Sequence, residues 1–356
     1  MMEAGLIMKR WLRILVTLGT LLVAFGWMQQ TKTAKAESVG YSVSTITPKN
    51  QDDKKVTYFA LRVKPNQQQK LTIVIHNSSK STKKFQVGVN QAMTNTNGVI
   101  DYSQANPKLD SSLKVGIKDV FGKNNTQKVT VNAKSAKKVS LSYKMPAKKI
   151  DGMILGGIYV KELKDNKTSS KKNGVTISNA FAYVVGVRLR ESGIDVAPDM
   201  RLHTVKAGQI SGLNQIQANL QNPRPGLMKA LKIESKVTKQ GSSKSVLTQT
   251  KENMAMAPNT NFNYSIPWGD TQLKAGDYTL TLDAYAKGGY HWHFVKNFTI
   301  TQKDINSLKN RINTPQKNYF WWFVAGGVII VLLLAIIIYL LMKNRKKDDD
   351  DTDTTD

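Results

Sequence analysis

Phe320 to Met342, FWWFVAGGVIIVLLLAIIIYLLM, is a run of 23 residues without one charge. As a helix rising about 1.5 Å per residue it reaches roughly 34 Å, enough to cross a hydrocarbon core of roughly 30 Å. Helices buried in protein cores rarely stay apolar for that long, so the run is expected to be a transmembrane α-helix. Phe320, Trp321 and Trp322 suit one interface, and the basic cluster Lys343 to Lys347 suits the other. By the positive-inside rule the basic end is cytoplasmic, which places everything before residue 320 outside the cell.

The N-terminus agrees with that direction. Lys9, Arg10 and Arg13 precede an apolar stretch from Ile14 to Trp27, and Ala34-Lys35-Ala36 offers a small-x-small cleavage site. A signal peptide over residues 1–36 follows, with the mature chain starting near Glu37. The chain carries a formal net charge of +27 and no cysteine. An exported part this basic faces anionic wall polymers or lipid surfaces rather than nucleic acid, or else carries a solvated basic surface with no partner. A cysteine-free ectodomain of this size points to a Gram-positive surface, with stability drawn from apolar burial.

Short alternating runs separated by turn residues fill the chain from Tyr41 onward, and no helical period precedes residue 303. YSVSTIT (41–47), VTYFALRV (56–63), KLTIVIHN (70–77), KFQVGVNQAM (84–93), KVTVNA (128–133), KVSLSYKM (138–145) and MILGGIYV (153–160) read as strands. Asn97-Gly98 suits a hairpin turn, since both residues accept positive φ. The charged stretch KELKDNKTSSKKNG marks a boundary. The expected domains are a first β-sandwich at 37–165, a linker at 166–172 and a second sandwich at 173–303, opened by a strand within 175–191. A juxtamembrane stretch (304–319), the helix (320–342) and a cytoplasmic tail (343–356) complete the chain. The fold class is all-β: two tandem immunoglobulin-like sandwiches plus the C-terminal helix. Gly276-Asp277 before Tyr278 resembles the approach to a tyrosine corner, and Asp304 is the expected cap of a short helix.

Chemistry for a wall hydrolase is hard to find. G-x-S-x-G, H-E-x-x-H and any thiol are missing, and Ser-x-x-Lys pairs occur without K-T-G. Paired carboxylates across a cleft are not excluded by sequence, though acids are few. No catalytic residue, cofactor or metal is assigned. Tyr290-His291-Trp292-His293-Phe294 is the most unusual cluster: on a strand the aromatics share one face and the histidines the other. It carries three readings: core packing, a partial zinc site, or a ligand surface shared with Trp268. Lys83 and Lys84 in KSTKK, and Lys137 and Lys138 in AKSAKK, are candidate contacts to anionic wall material.

Several ordered fragments carry a family resemblance. In the first unit they are Tyr41-x-Val43 with Pro48 and Gln51, Tyr58-Phe59, Asn95-x-Asn97-Gly98-x-Ile100-x-Tyr102 and Leu155-Gly156-Gly157-Ile158. In the second they are Asn179-Ala-Phe-Ala-Tyr183, Asn222-Pro223, Ala257-Pro258-Asn259 and Leu273-x-Ala275-Gly276-x-Tyr278. Over nearly its whole length the chain resembles the WxL-interacting proteins of Gram-positive bacteria. The resemblance implies a peptidoglycan-binding sandwich, a host-binding domain and a membrane helix, and a non-enzymatic adaptor that holds WxL-domain proteins at the wall. No tryptophan here is followed by x-Leu, so the chain resembles the interacting protein rather than its WxL partner. The rivals are a wall-modifying enzyme and a purely structural stalk.

Overall fold

The computed structural model describes residues 40–122, 125–163, 181–269, 272–309 and 320–349. The expected signal segment, the 166–172 linker and the end of the tail lie outside them.

Strands β1 (Tyr41–Ile46), β3 (Gln68–Asn77) and β8 (Ser135–Lys144) form one sheet of the first sandwich. The facing sheet has the order β2 (Phe59–Arg62), β10 (Ala182–Arg190), β9 (Met153–Leu163), β4 (Lys83–Gln91), β7 (Gln127–Val131). Alternation puts Leu71, Ile73 and Ile75 of β3 inside against Phe85, Val87 and Val89 of β4, all fully buried. A short helix, α1 (Ile117–Phe121), closes this core with Ile117, Val120 and Phe121. Its five residues are too few for the sequence to display a helical period. Gly156 is fixed by it, because a Cβ there would lie 2.6 Å from Ile117 and 2.7 Å from the Asn90 carbonyl oxygen.

β10 departs from the sequence reading, which makes 175–191 the opening of the second unit. It runs antiparallel to β9 over its whole length and parallel to β2 over Val187–Arg190, with Val185, Val187 and Leu189 in the first core. Strand pairing is non-local, so a charged connection that looks like a domain linker can simply return the chain to the same sheet. The hairpin of β5 (Met93–Thr94) and β6 (Ile100–Asp101) forms around Asn97-Gly98 as expected. Asn95 Oδ1 accepts from the amides of Asn97 and Val99, and Gly98 has φ +71°.

In the second sandwich β11 (Arg201–Ile210), β12 (Leu213–Asn222) and β15 (Thr260–Pro267) face a sheet of order β14 (Ser245–Met256), β13 (Met228–Lys239), β16 (Gly276–Ala286), β17 (Tyr290–Ile300). Tyr264 and Tyr278 lie in its core, and Tyr278 donates to the Lys274 carbonyl at 3.0 Å, the contact expected of a tyrosine corner. Helix α2 (Gln302–Lys309) seals one end with Ile305 and Leu308. Asp304 is not its cap residue but its partner: the Asp304 carboxylate accepts from the Thr301 amide and hydroxyl, and Thr301 Oγ1 accepts from the Asp304 amide.

Helix α3 (Phe320–Asp349) is apolar through its middle. Its described side chains are those of residues 324–339, and those between Val328 and Tyr339 stand exposed all around the helix. Among the described residues no helix is long and apolar enough to cross a membrane.

The two sandwiches are joined by a hydrogen-bonded seam. Thr94 Oγ1 accepts from the Ala257 amide at 3.0 Å and lies 2.7 Å from Thr260 Oγ1, whose proton goes to the Ala257 carbonyl. The Ala255 amide donates to the Gly98 carbonyl at 2.7 Å, and the Met153 amide to that of Pro225 at 3.0 Å. Asn259 Nδ2 reaches Ser112 O on one side and Pro223 O on the other. The carboxylate of Asp110, 8% exposed, accepts from Ser112, Gln221 and Asn261.

Candidate functional site

The sequence offers two groups of candidates, and the structure treats them differently. Lys83 and Lys84 stand on β4 while Lys137 and Lys138 stand on β8 of the opposite sheet, roughly fifty residues apart in the chain. Two turns bring the groups to one end of the first sandwich. The β3–β4 turn and the β7–β8 turn are stitched by Asn77, 2% exposed, whose Nδ2 donates to Ser81 O, Val131 O and Asn132 O at 2.8–3.1 Å. Asn77 Oδ1 accepts from the Ser79 amide and hydroxyl, and the Lys134 amide donates to Ser79 O. Lys134 holds φ +52°, which tightens the second turn.

Around this knot Lys80, Lys84, Lys134, Lys137 and Lys138 are exposed. Lys84 lies opposite Thr130 in register, and Lys137 Nζ donates to the Thr130 carbonyl at 3.2 Å, so the Lys137 ammonium reaches the strand that Lys84 pairs with. Lys83 has a different role. It pairs with Glu162 at 2.8 Å, lies 5.6 Å from the Tyr41 ring centroid and is only 14% exposed at its side chain. That lysine pins β4 to β9 and to β1.

The aromatic and histidine group does not form one site. Trp268, 4% exposed, belongs to the second core, edge-on to Tyr278, and its Nε1 donates to Gln272 O. No face of it is open to stack on a sugar, because the indole fills the space between the sheets. Along β17 the alternation is as expected: Trp292 and Phe294 pack against the core, and His291 and His293 point out. Tyr290 stacks on Trp292, whose Nε1 donates to Asp199 at 3.2 Å. His291 and His293 both bond Asp283 Oδ1, at 3.2 and 2.8 Å. The bond from His293, then that from His291, holds the Asp283 carboxyl below the usual carboxylate range. Among the described residues no three His, Cys, Asp or Glu side chains converge as a metal set.

Sequence reading missed the seam, although its fragments are the resemblance fragments. Asn95 to Gly98, Asn222-Pro223 and Ala257-Pro258-Asn259 meet there. Asn222 Nδ2 donates to Gly226 O and Ala257 O, which shapes the Pro-rich turn that receives Gly152. Asp110 carries no local signal, since it sits between turn residues. Burial alone would raise its carboxyl, but hydrogen bonds from Ser112, Asn261 and Gln221 outweigh that and hold it below the usual range.

The E. coli chaperone DraB matches with 13% identity over 67% of this chain and 94% of that one, at a TM-score of 0.24. The class 5 fimbriae chaperone CfaA matches with 11% identity over 68% and 96%, at 0.26. Scores that low leave the likeness without bearing on fold or function. No curated protein matches the chain. Residues 41–162 match the WxL Interacting Protein peptidoglycan binding domain, and residues 172–310 match the WxL Interacting Protein host binding domain. Together these matches cover most of the chain, in the family's order, and the chain belongs to the WxL-interacting protein family.

Proposed function

We propose that the chain is a non-enzymatic, membrane-anchored adaptor that binds peptidoglycan or its anionic polymers through the lysine end of the first sandwich. In this reading it holds WxL-domain proteins, and host extracellular proteins, at the cell surface. The observation that carries it is the Asn77 knot, which gathers two lysine-bearing turns from opposite sheets onto one end. A cluster of exposed cations on rigid turns attracts a polyanion without a pocket, and it belongs to a chain whose net charge is +27. The anchor rests on the uncharged run Phe320 to Met342, which extends beyond the described side chains of α3: side chains apolar on every side of a helix call for an apolar solvent, and Lys343 to Lys347 then lie on the cytoplasmic side. The matched domains are binding domains, which favours attachment over catalysis.

The test is co-sedimentation of the detergent-solubilised full chain with purified peptidoglycan, followed by analysis of the supernatant. Retention without release of soluble wall fragments is the expected result. Fragments that persist in a highly purified sample would make it a wall-modifying enzyme, and absence of retention would leave the stalk. Protease added to intact, wall-stripped cells is expected to remove both sandwiches and spare α3.

A further inference from the structure

The first sandwich is open along one side, between β1 and β10. Among the described residues β2 covers β10 only at Val187–Arg190, so from Ala182 to Gly186 the described ladder partner of β10 is β9 alone. The Arg190 carbonyl accepts from the Val63 amide on the β2 side. By the alternation of a strand, the N–H and C=O groups of Ala182, Val184 and Gly186 point the same way. Val184 and Gly186 line a groove of about 820 Å³, together with Val43 to Thr45 of β1 and with Tyr58, Tyr102 and Leu227. Val184, 41% exposed, and Tyr183, 36% exposed, leave apolar surface at its mouth. Arg188 and Lys229 line it, and among the described residues no Asp or Glu does. Arg188 Nε is buried there without a hydrogen-bond partner among the described residues.

An open strand edge beside apolar walls presents backbone donors and acceptors at the spacing of another strand. Glycan offers no amide ladder at that spacing, and mixed chirality in a wall peptide breaks the alternation of side chains. Cations with no acid beside them select a carboxylate. We propose that this groove captures an extended, all-L segment of a partner protein as an added β-strand on β10. The segment presents apolar side chains at alternate positions and a carboxylate to Arg188 and Lys229. The proposal rests on the reading of the chain as an adaptor for protein partners, and the two can fail separately because wall retention is measured on its own.

The probe is a fluorescent octapeptide of alternating valine and threonine ending in glutamate, titrated into the detergent-solubilised full chain. Saturable binding is expected, weakened roughly tenfold or more when the peptide is all-D or is N-methylated at alternate residues. Changing the terminal glutamate to glutamine, with its C-terminus amidated in both peptides, is expected to weaken binding to the wild type but not to Arg188→Gln. Val184→Pro removes an amide on the open side and leaves the β9 ladder intact, so it is expected to melt near the wild type yet lose at least roughly tenfold in affinity. Should that variant not fold, the N-methylated peptide and Arg188→Gln decide the matter. No binding of the all-L peptide, equal binding of the all-D peptide, or undiminished binding by a folded Val184→Pro would overturn the proposal. So would displacement of the peptide by soluble peptidoglycan fragments, which would make the groove a wall site.

Discussion

At the seam, Thr94, Asp110 and Ser112 of the first sandwich meet Gln221, Ala257, Asn259 and Thr260 of the second through buried hydrogen bonds. At the lysine end the same sandwich holds five exposed cations over a knot made by one buried asparagine. The first region is short-ranged, set by backbone approach and by hydrogen bonds to one buried carboxylate, so single atoms matter there more than salt. The second is charged and long-ranged, so the number of charges matters more than any one. Screening acts there over roughly 8 Å at physiological ionic strength. One chain thus separates the surface that sets its geometry from the surface that meets its surroundings.

The largest expected effect is at the seam. Gly152 has φ +65°, and a Cβ there would lie 2.3 Å from the Pro225 carbonyl oxygen, which is backbone and cannot swing away. Gly152→Ala should destabilise by about 2–4 kcal/mol, read as a lower urea midpoint, with wall retention at low salt preserved in the folded fraction. If the midpoint does not move, the close approach at the seam is not part of the fold.

Asp110→Ala follows, leaving the Gln221 and Asn261 amides without their acceptor at a cost of about 1–3 kcal/mol. Its pH dependence has a definite sign. Folding lowers the Asp110 carboxyl, so its contribution is complete above the ordinary value of 3.8 and is lost as pH falls through the folded value. Acid unfolding of Asp110→Asn should therefore start from lower stability and fall less steeply below that value.

Asn77→Ala sharpens the comparison, because it changes no charge. Removing a buried amide that bridges two turns should cost about 1–3 kcal/mol and also weaken wall retention by unfastening the lysines from one another. Retention unchanged in a folded Asn77→Ala chain would mean that charge alone, not its placement, is what binds. The smallest effect belongs to β17: Asp283→Asn, at an exposed pair of His–Asp contacts, should shift stability by less than about 1 kcal/mol.

How much of this was legible follows from range. Alternation revealed the strands, and Asn97-Gly98 revealed its hairpin, because both signals are local. The lysine runs were legible as composition, but their meeting was not, since Asn77 joins turns more than fifty residues apart. The pairing of β10 with the first sheet was not legible, because a polar connection looks the same whether it separates domains or strands. Trp268 was read as a ligand surface because an aromatic near a turn does not reveal which side of the sheet it fills. Asp110 left no trace because its partners, Gln221 and Asn261, lie across the seam.

The most direct measurement is retention of the detergent-solubilised full chain on purified wall across a salt series. The wild type is compared with a variant in which Lys80, Lys84, Lys134, Lys137 and Lys138 are all changed to glutamate. Surface changes of this kind should each move stability by no more than about 0.5 kcal/mol, so both chains remain folded. Steep loss of wild-type retention with rising salt, and little retention of the variant at any salt, is the result the account predicts. Equal retention of both chains, flat from low to high salt, would contradict it.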